Sequence, residues 1–183
     1  MQAIKVKEIM VPLKDYATVS ENATMFDAVL ALEAAQAEFD QSRYRHRAVL
    51  VYNDQNQIVG KISQLDLLKA LEPKYDQILN TTKLSRTGYS LDYIKSLSHT
   101  EFWDKPLNDI CRKAADLHVK RFMYTPDEEE FIEENAELNE AVHQLIVGRH
   151  HSLLVTRGKE IVGVLRLTDV FKLVCERIKA CKI

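Results

Sequence analysis

The chain carries one unit twice. Val6-Lys7-Glu8-Ile9-Met10 returns 113 residues later as Val119-Lys120-Arg121-Phe122-Met123. Glu21-Asn22-Ala23 and Ala28-Val29 return at the same offset as Glu134-Asn135-Ala136 and Ala141-Val142. His46 and Leu50-Val51 return at offset 104 as His150 and Leu154-Val155, and Ile58-Val59-Gly60 and Asp66 return at offset 103 as Ile161-Val162-Gly163 and Asp169. The blocks keep their order and the offset changes only between them, which marks a duplication. Two copies of a small unit are expected to pack face to face, with a ligand cleft between them.

Each copy reads as strand, helix, strand, strand, helix. In the first, Ala17-Thr18-Val19 is a short extended piece. Thr24 followed by Asp27 forms a helix-capping pair, and Val29, Leu32 and Ala35 continue at helical spacing. Ala48 to Tyr52 suits a buried strand, Asn53-Asp54-Gln55-Asn56 a turn, and Ile58 to Ser63 the returning strand. Leu65, Leu68 and Leu71 open a second helix that Pro73 ends. In the second copy Phe131-Ile132 is the short strand, and Leu138, Ala141, Val142, Leu145 and Ile146 line a helix that Gly148 stops. Ser152 to Thr156 and Ile161 to Arg166 pair across Arg157-Gly158-Lys159, where Gly158 supplies a positive φ. Thr168 is expected to cap the last helix.

The fold class is therefore α/β, with copies over residues 1–71 and 119–183 and a helical insert over 72–118. In the insert, Leu107, Ile110, Cys111, Ala114 and Leu117 define an amphipathic helix; Leu91, Ile94 and Leu97 point to another, and Phe102-Trp103 is its expected anchor. The first copy has nine more residues than the second between its first helix and middle strand, read as extra helical turns and a basic loop, Arg43-Tyr44-Arg45-His46-Arg47.

Composition narrows the function. With 25 basic and 27 acidic residues the formal charge is −2, so no global positive field attracts nucleic acid. No apolar run approaches bilayer length, and no export signal opens the chain. Cys111, Cys175 and Cys181 lack metal-ligand spacing and fit reduced thiols in the cytoplasm. Catalytic triads, Walker-type loops and zinc-protease motifs are missing, so an enzyme is not expected. The acidic run Asp127-Glu128-Glu129-Glu130, with Glu133-Glu134 after it, reads as a solvated loop.

The strongest local signal is Gly60-Lys61-Ile62-Ser63-Gln64-Leu65-Asp66, a strand that gives way to a helix within three residues. Such a corner has two readings. Helix-start amides and an Asp suit an anion or a vicinal diol, and Ser63 and Asp66 alternatively serve only to cap the helix. Gly163-Val164-Leu165-Arg166-Leu167-Thr168-Asp169 repeats the Gly and the Asp.

These motifs resemble those of cystathionine-β-synthase-type (CBS) domains, whose tandem pairs are called Bateman modules. Gly60, Ser63 and Asp66 fit the family's Gly–apolar–any–Ser/Thr–any–any–Asp pattern, while Arg166 stands where the second copy should have Ser or Thr. The resemblance implies two repeats related by a pseudo-twofold axis and a regulatory rather than catalytic role. It implies binding of adenosine-containing ligands (AMP, ADP or ATP) in two clefts, with the motif Asp on ribose and basic residues before the middle strand on phosphate. Ser63, Asp66, His46 and Arg47 would then serve one cleft, and Asp169, Arg149, His150 and His151 the other. Thr18 and Val19 would touch the base, and Arg166 would either reach a phosphate or fill its pocket. Such pairs commonly form homodimers and act on a partner protein, so a ligand-free interaction module is the alternative.

Overall fold

A computed structural model describes residues 4–40, 42–71 and 109–181. Two small sheets carry the fold. The first has the order β2-β3-β4, from Thr18–Ser20, Ala48–Tyr52 and Ile58–Ser63. The second has the order β1-β7-β6-β5, from Val11–Pro12, Glu160–Arg166, Ser152–Arg157 and Phe131–Glu133. Helices α1 (Met25–Glu38) and α2 (Gln64–Ala70) belong to the first copy, α3 (Ile110–Asp116) to the insert, and α4 (Leu138–Val147) and α5 (Leu167–Ala180) to the second copy. The leading insert positions, Leu91 to Leu107 with Phe102-Trp103, lie outside the described residues. Ala114 and Leu117 pack on the first copy's core.

Strand periodicity sorts the core. Val49 and Val51 point into the first copy's own cluster with Ala28, Ile62 and Leu67. Leu153 and Val155 do the same in the second copy with Ala141, Leu145 and Leu165. Between them, Leu50 and Leu154 point the other way, into a shared layer with Val11, Tyr16, Phe39 and Val164. The middle strands are thus buried on both faces, which is why they read as unbroken apolar runs.

The segments that open each copy change sides. Val6 is buried in the second copy's core and Val119 in the first's. Strand β1 pairs with β7 of the other copy, Val11 opposite Val164, and Tyr124 pairs with Lys61 at the repeat-equivalent place. This exchange explains the duplicated Met and Gly. A β-carbon on Gly60 would lie 2.8 Å from Met123 Sδ, and one on Gly163 would lie 2.9 Å from Met10 Sδ. Each glycine leaves the seat for the other segment's methionine.

Local expectations hold at the caps and turns. Thr24 and Asp27 form a capping box on α1, and Gly158 has φ 61°. Two differ. Helix α5 starts at Leu167 directly after β7, so Arg166 holds the N-cap position and Thr168 lies within the first turn. Gly148 does end α4, but with φ −76°, and the left-handed residue is Arg149 at φ 53°. The amides of Arg149 and His150 donate to the carbonyls of Ile146 (3.3 Å) and Leu145 (3.0 Å), the two bonds of a Schellman ending. Gly148 is needed for a different reason: a β-carbon there would sit 2.0 Å from His150 Nε2.

Candidate functional site

Before each middle strand, exposed and buried side chains alternate. In the first copy His46 is buried, while Arg45 and Arg47 are exposed toward a cavity of about 580 Å³ between the copies. Arg149, His150 and His151 line the same cavity from the second copy, and Ser63, Gln64 and Asp66 line it at the start of α2. Arg45, Arg47 and Arg149 have no ion-pair partner among the described residues.

Ser63 and Asp66 do cap α2. Asp66 Oδ2 accepts from the Ser63 amide (2.9 Å) and hydroxyl (2.6 Å), and the Asp66 amide donates to Ser63 Oγ at 3.2 Å. Among the described residues the other oxygen, Oδ1, has only the Lys69 ammonium at 4.0 Å, so it keeps a lone-pair face able to accept a further hydrogen bond.

The cavity floor carries a second polar group. Lys61 Nζ forms an ion pair with Glu130, which is 2% exposed. Burial alone would raise the Glu130 carboxyl, but bonds from Lys61 and Tyr124 hold it below its ordinary range. Burial, then Glu130, pushes the Tyr124 hydroxyl up. The acidic run is therefore not all solvated loop. Glu130 is drawn in by Lys61, and Glu134 is held by Arg157 at 2.7 and 2.8 Å.

Around Asp169 the equivalent corner is closed. Arg166, 4% exposed, forks onto Asp169 with Nε–Oδ2 at 2.5 Å and Nη2–Oδ1 at 2.8 Å. Its Nη1 donates to the Tyr44 carbonyl at 2.7 Å and lies 3.4 Å from His46 Nδ1. Arg43 reaches the same carboxylate at 3.2 Å, and Phe39 lies under Arg166, ring centroid 5.2 Å from Cζ. His46 stacks obliquely on Tyr16 (4.6 Å) and Phe39 (4.2 Å). Burial, and then the Arg166 charge, lowers its pKa to about 4, so the ring is neutral near pH 7. Burial raises the Tyr16 hydroxyl to about 12.

The structure thus sorts the expected residues differently. Ser63, Asp66 and Arg47 meet Arg149, His150 and His151 in one cavity. His46 joins Asp169 instead of Asp66, because neighbours on an extended segment face opposite ways. Val19 is core, and Thr18 lines a separate groove of about 630 Å³ beside α1, with Phe39 and Arg43 at its wall. Sequence reasoning takes Arg45 no further than a basic loop, and it misses the roles of Lys61, Tyr124 and, within its solvated acidic run, Glu130. A lysine in an otherwise apolar strand, Lys61, was the available signal for the last three.

A model of the CBS domain matches residues 6–73 and 119–176, so the chain belongs to the CBS-domain family and holds a tandem pair. Solved structures agree on the fold. CBSX2, crystallised in complex with AMP, is 16% identical with a TM-score of 0.58, over 95% of this chain and 98% of that one. A CBS domain-containing protein of unknown function from Bacillus anthracis is 15% identical, TM-score 0.61, over 96% of each chain. The CBS domain of a membrane protein from Sphaerobacter thermophilus is 16% identical, TM-score 0.62, over 94% of this chain and 88% of that one. A search of curated proteins found no match. None of the described helices is long and apolar enough to cross a membrane.

Arg149 combines a strained backbone with a place at the cavity, a pairing that marks functional positions. Arg149→Gly is expected to raise stability by about 1 kcal/mol, because glycine adopts this φ without a β-carbon clash. Urea melts check this; a less stable variant would show that the backbone is not strained.

Proposed function

We propose that the protein is a regulatory CBS pair that binds one adenosine-containing phosphate ester, of the AMP, ADP or ATP class, in the cavity beside Asp66. The observation that carries this is three arginines, Arg45, Arg47 and Arg149, without an ion-pair partner among the described residues, around a cavity that also holds the Ser63–Asp66 corner. Arginine offers planar donors matched to phosphate, and Asp66 Oδ1 can accept from a ribose hydroxyl. The AMP complex of CBSX2, a protein of the same fold, supports the ligand class. The Asp169 corner is engaged by Arg166 and Arg43, so one equivalent per chain is expected. No catalytic step is assigned; ligand binding acts by favouring one packing of the copies over another.

Isothermal titration tests the reading. Asp66→Ala should weaken AMP or ATP at least about tenfold, since one charge-assisted hydrogen bond contributes roughly 1.5–3 kcal/mol. Asp66→Asn, which keeps an oxygen for the cap, should lose a similar amount. Unchanged affinity in both would remove the ribose role.

A second reading has its own observation. Leu65 and Leu68 on α2, and Phe171 and Ile178 on α5, are all at least 60% exposed. Faces of this kind suit a second copy of the chain. A homodimer in light scattering, with no thermal shift from any adenosine compound at millimolar concentration, would favour an interaction module that acts through dimerisation on a partner protein.

A further inference from the structure

We infer that Arg166 is a positioning residue for the open cavity: by occupying the Asp169 corner it fixes the basic segment that turns Arg45 and Arg47 toward the ligand. The inference rests on the nucleotide reading above for its binding readout, and on geometry for the rest.

The segment from Ser42 to Arg47 belongs to no helix or strand, so its conformation depends on tethers. It has four. Lys172 Nζ donates to the Ser42 carbonyl at 3.0 Å, and Arg166 Nη1 to the Tyr44 carbonyl at 2.7 Å. The His46 amide donates to Gln36 Oε1 at 2.7 Å, and the Gln64 amide to the Arg47 carbonyl at 3.0 Å. Arg166 bonds the middle of the run at the Tyr44 carbonyl, and it also packs against His46 and Phe39. With the Tyr44 carbonyl and the His46 ring held toward Asp169, Arg45 and Arg47 on either side of His46 are left facing the other way. Serine or threonine, the residue types of the family pattern, cannot reach the Tyr44 carbonyl from position 166 while capping α5. The Arg therefore converts one ligand corner into a brace for the other. Its guanidinium is locked by Asp169, so the tether is short and directional.

The test replaces the pair together, Arg166→Ser with Asp169→Asn, so that no lone charge stays buried. Two measurements are made. Amide hydrogen exchange at His46 should accelerate at least about tenfold relative to the cores of β3 and β6, as a local opening does. AMP or ATP should lose about tenfold in affinity while adenosine keeps its own, because only the phosphate arm depends on Arg45 and Arg47. Arg166→Lys, which can still donate to Tyr44, should recover part of the protection. Unchanged exchange at His46 would overturn the inference. So would equal losses for adenosine and its phosphates, the mark of a general structural defect. If the wild type binds no adenosine compound, the nucleotide reading fails, and the exchange result still decides the brace.

Discussion

Arg166→Met is expected to lower stability by about 3–5 kcal/mol, the usual cost of removing one partner from a buried ion pair. The residue is 4% exposed and its removal leaves Asp169, 5% exposed, with Arg43 as the one remaining cation among the described residues. The Tyr44 carbonyl loses its donor as well. A loss of this size is a large share of the 5–15 kcal/mol typical of a folded domain. The same reasoning says the pair as a unit contributes little. Two charges taken out of water gain back roughly what their desolvation costs, so Arg166→Met combined with Asp169→Leu should recover most of the loss. Urea denaturation of the two single variants and the double gives the coupling directly. If the double variant is as unstable as the sum of the singles, the bidentate geometry does not describe the protein in solution.

Gly163→Ala should cost about 2–3 kcal/mol, more than Gly60→Ala, although the two positions are repeat equivalents. At Gly163 the new β-carbon meets the Val11 carbonyl oxygen at 2.6 Å as well as Met10 Sδ at 2.9 Å. The Val11 carbonyl is backbone of β1, held in register against β7, and cannot move without loosening the contact between the copies. At Gly60 the nearest atom is Met123 Sδ at 2.8 Å, the end of a flexible side chain, and the nearest backbone is Tyr124 O at 3.1 Å. Methionine can change rotamer, so the clash there is partly relieved. Chemical denaturation of both variants checks the order. Equal losses would mean that the exchanged segments yield equally at the two seats.

Arg149→Gly and Asp66→Ala probe the open cavity, whereas Arg166 and Gly163 probe what holds it in shape. The closed corner and the open one share a wall, the segment around Tyr44 to Arg47. Changes on either side of that wall are therefore expected to be felt on the other.

Residue order and spacing were enough to find the repeat, the order of strands and helices within each copy, the capping pair at Thr24, the Gly158 turn and the two strand-to-helix corners, and they left the role of Ser63 and Asp66 open between cap and ligand contact. These rest on interactions within a few residues, so spacing and residue type reveal them. The crossing of the opening segments between copies shows only once the two sheets are docked. The docked fold also turns His46 and Arg47 to opposite corners, buries Glu130 on Lys61 and sets Arg166 bidentate on Asp169. The bond from Arg166 to Tyr44 joins residues 122 positions apart. Which carboxylate meets which cation at such separations depends on how two sheets dock, and hydrophobic periodicity fixes the faces that dock without naming the polar partners brought along with them.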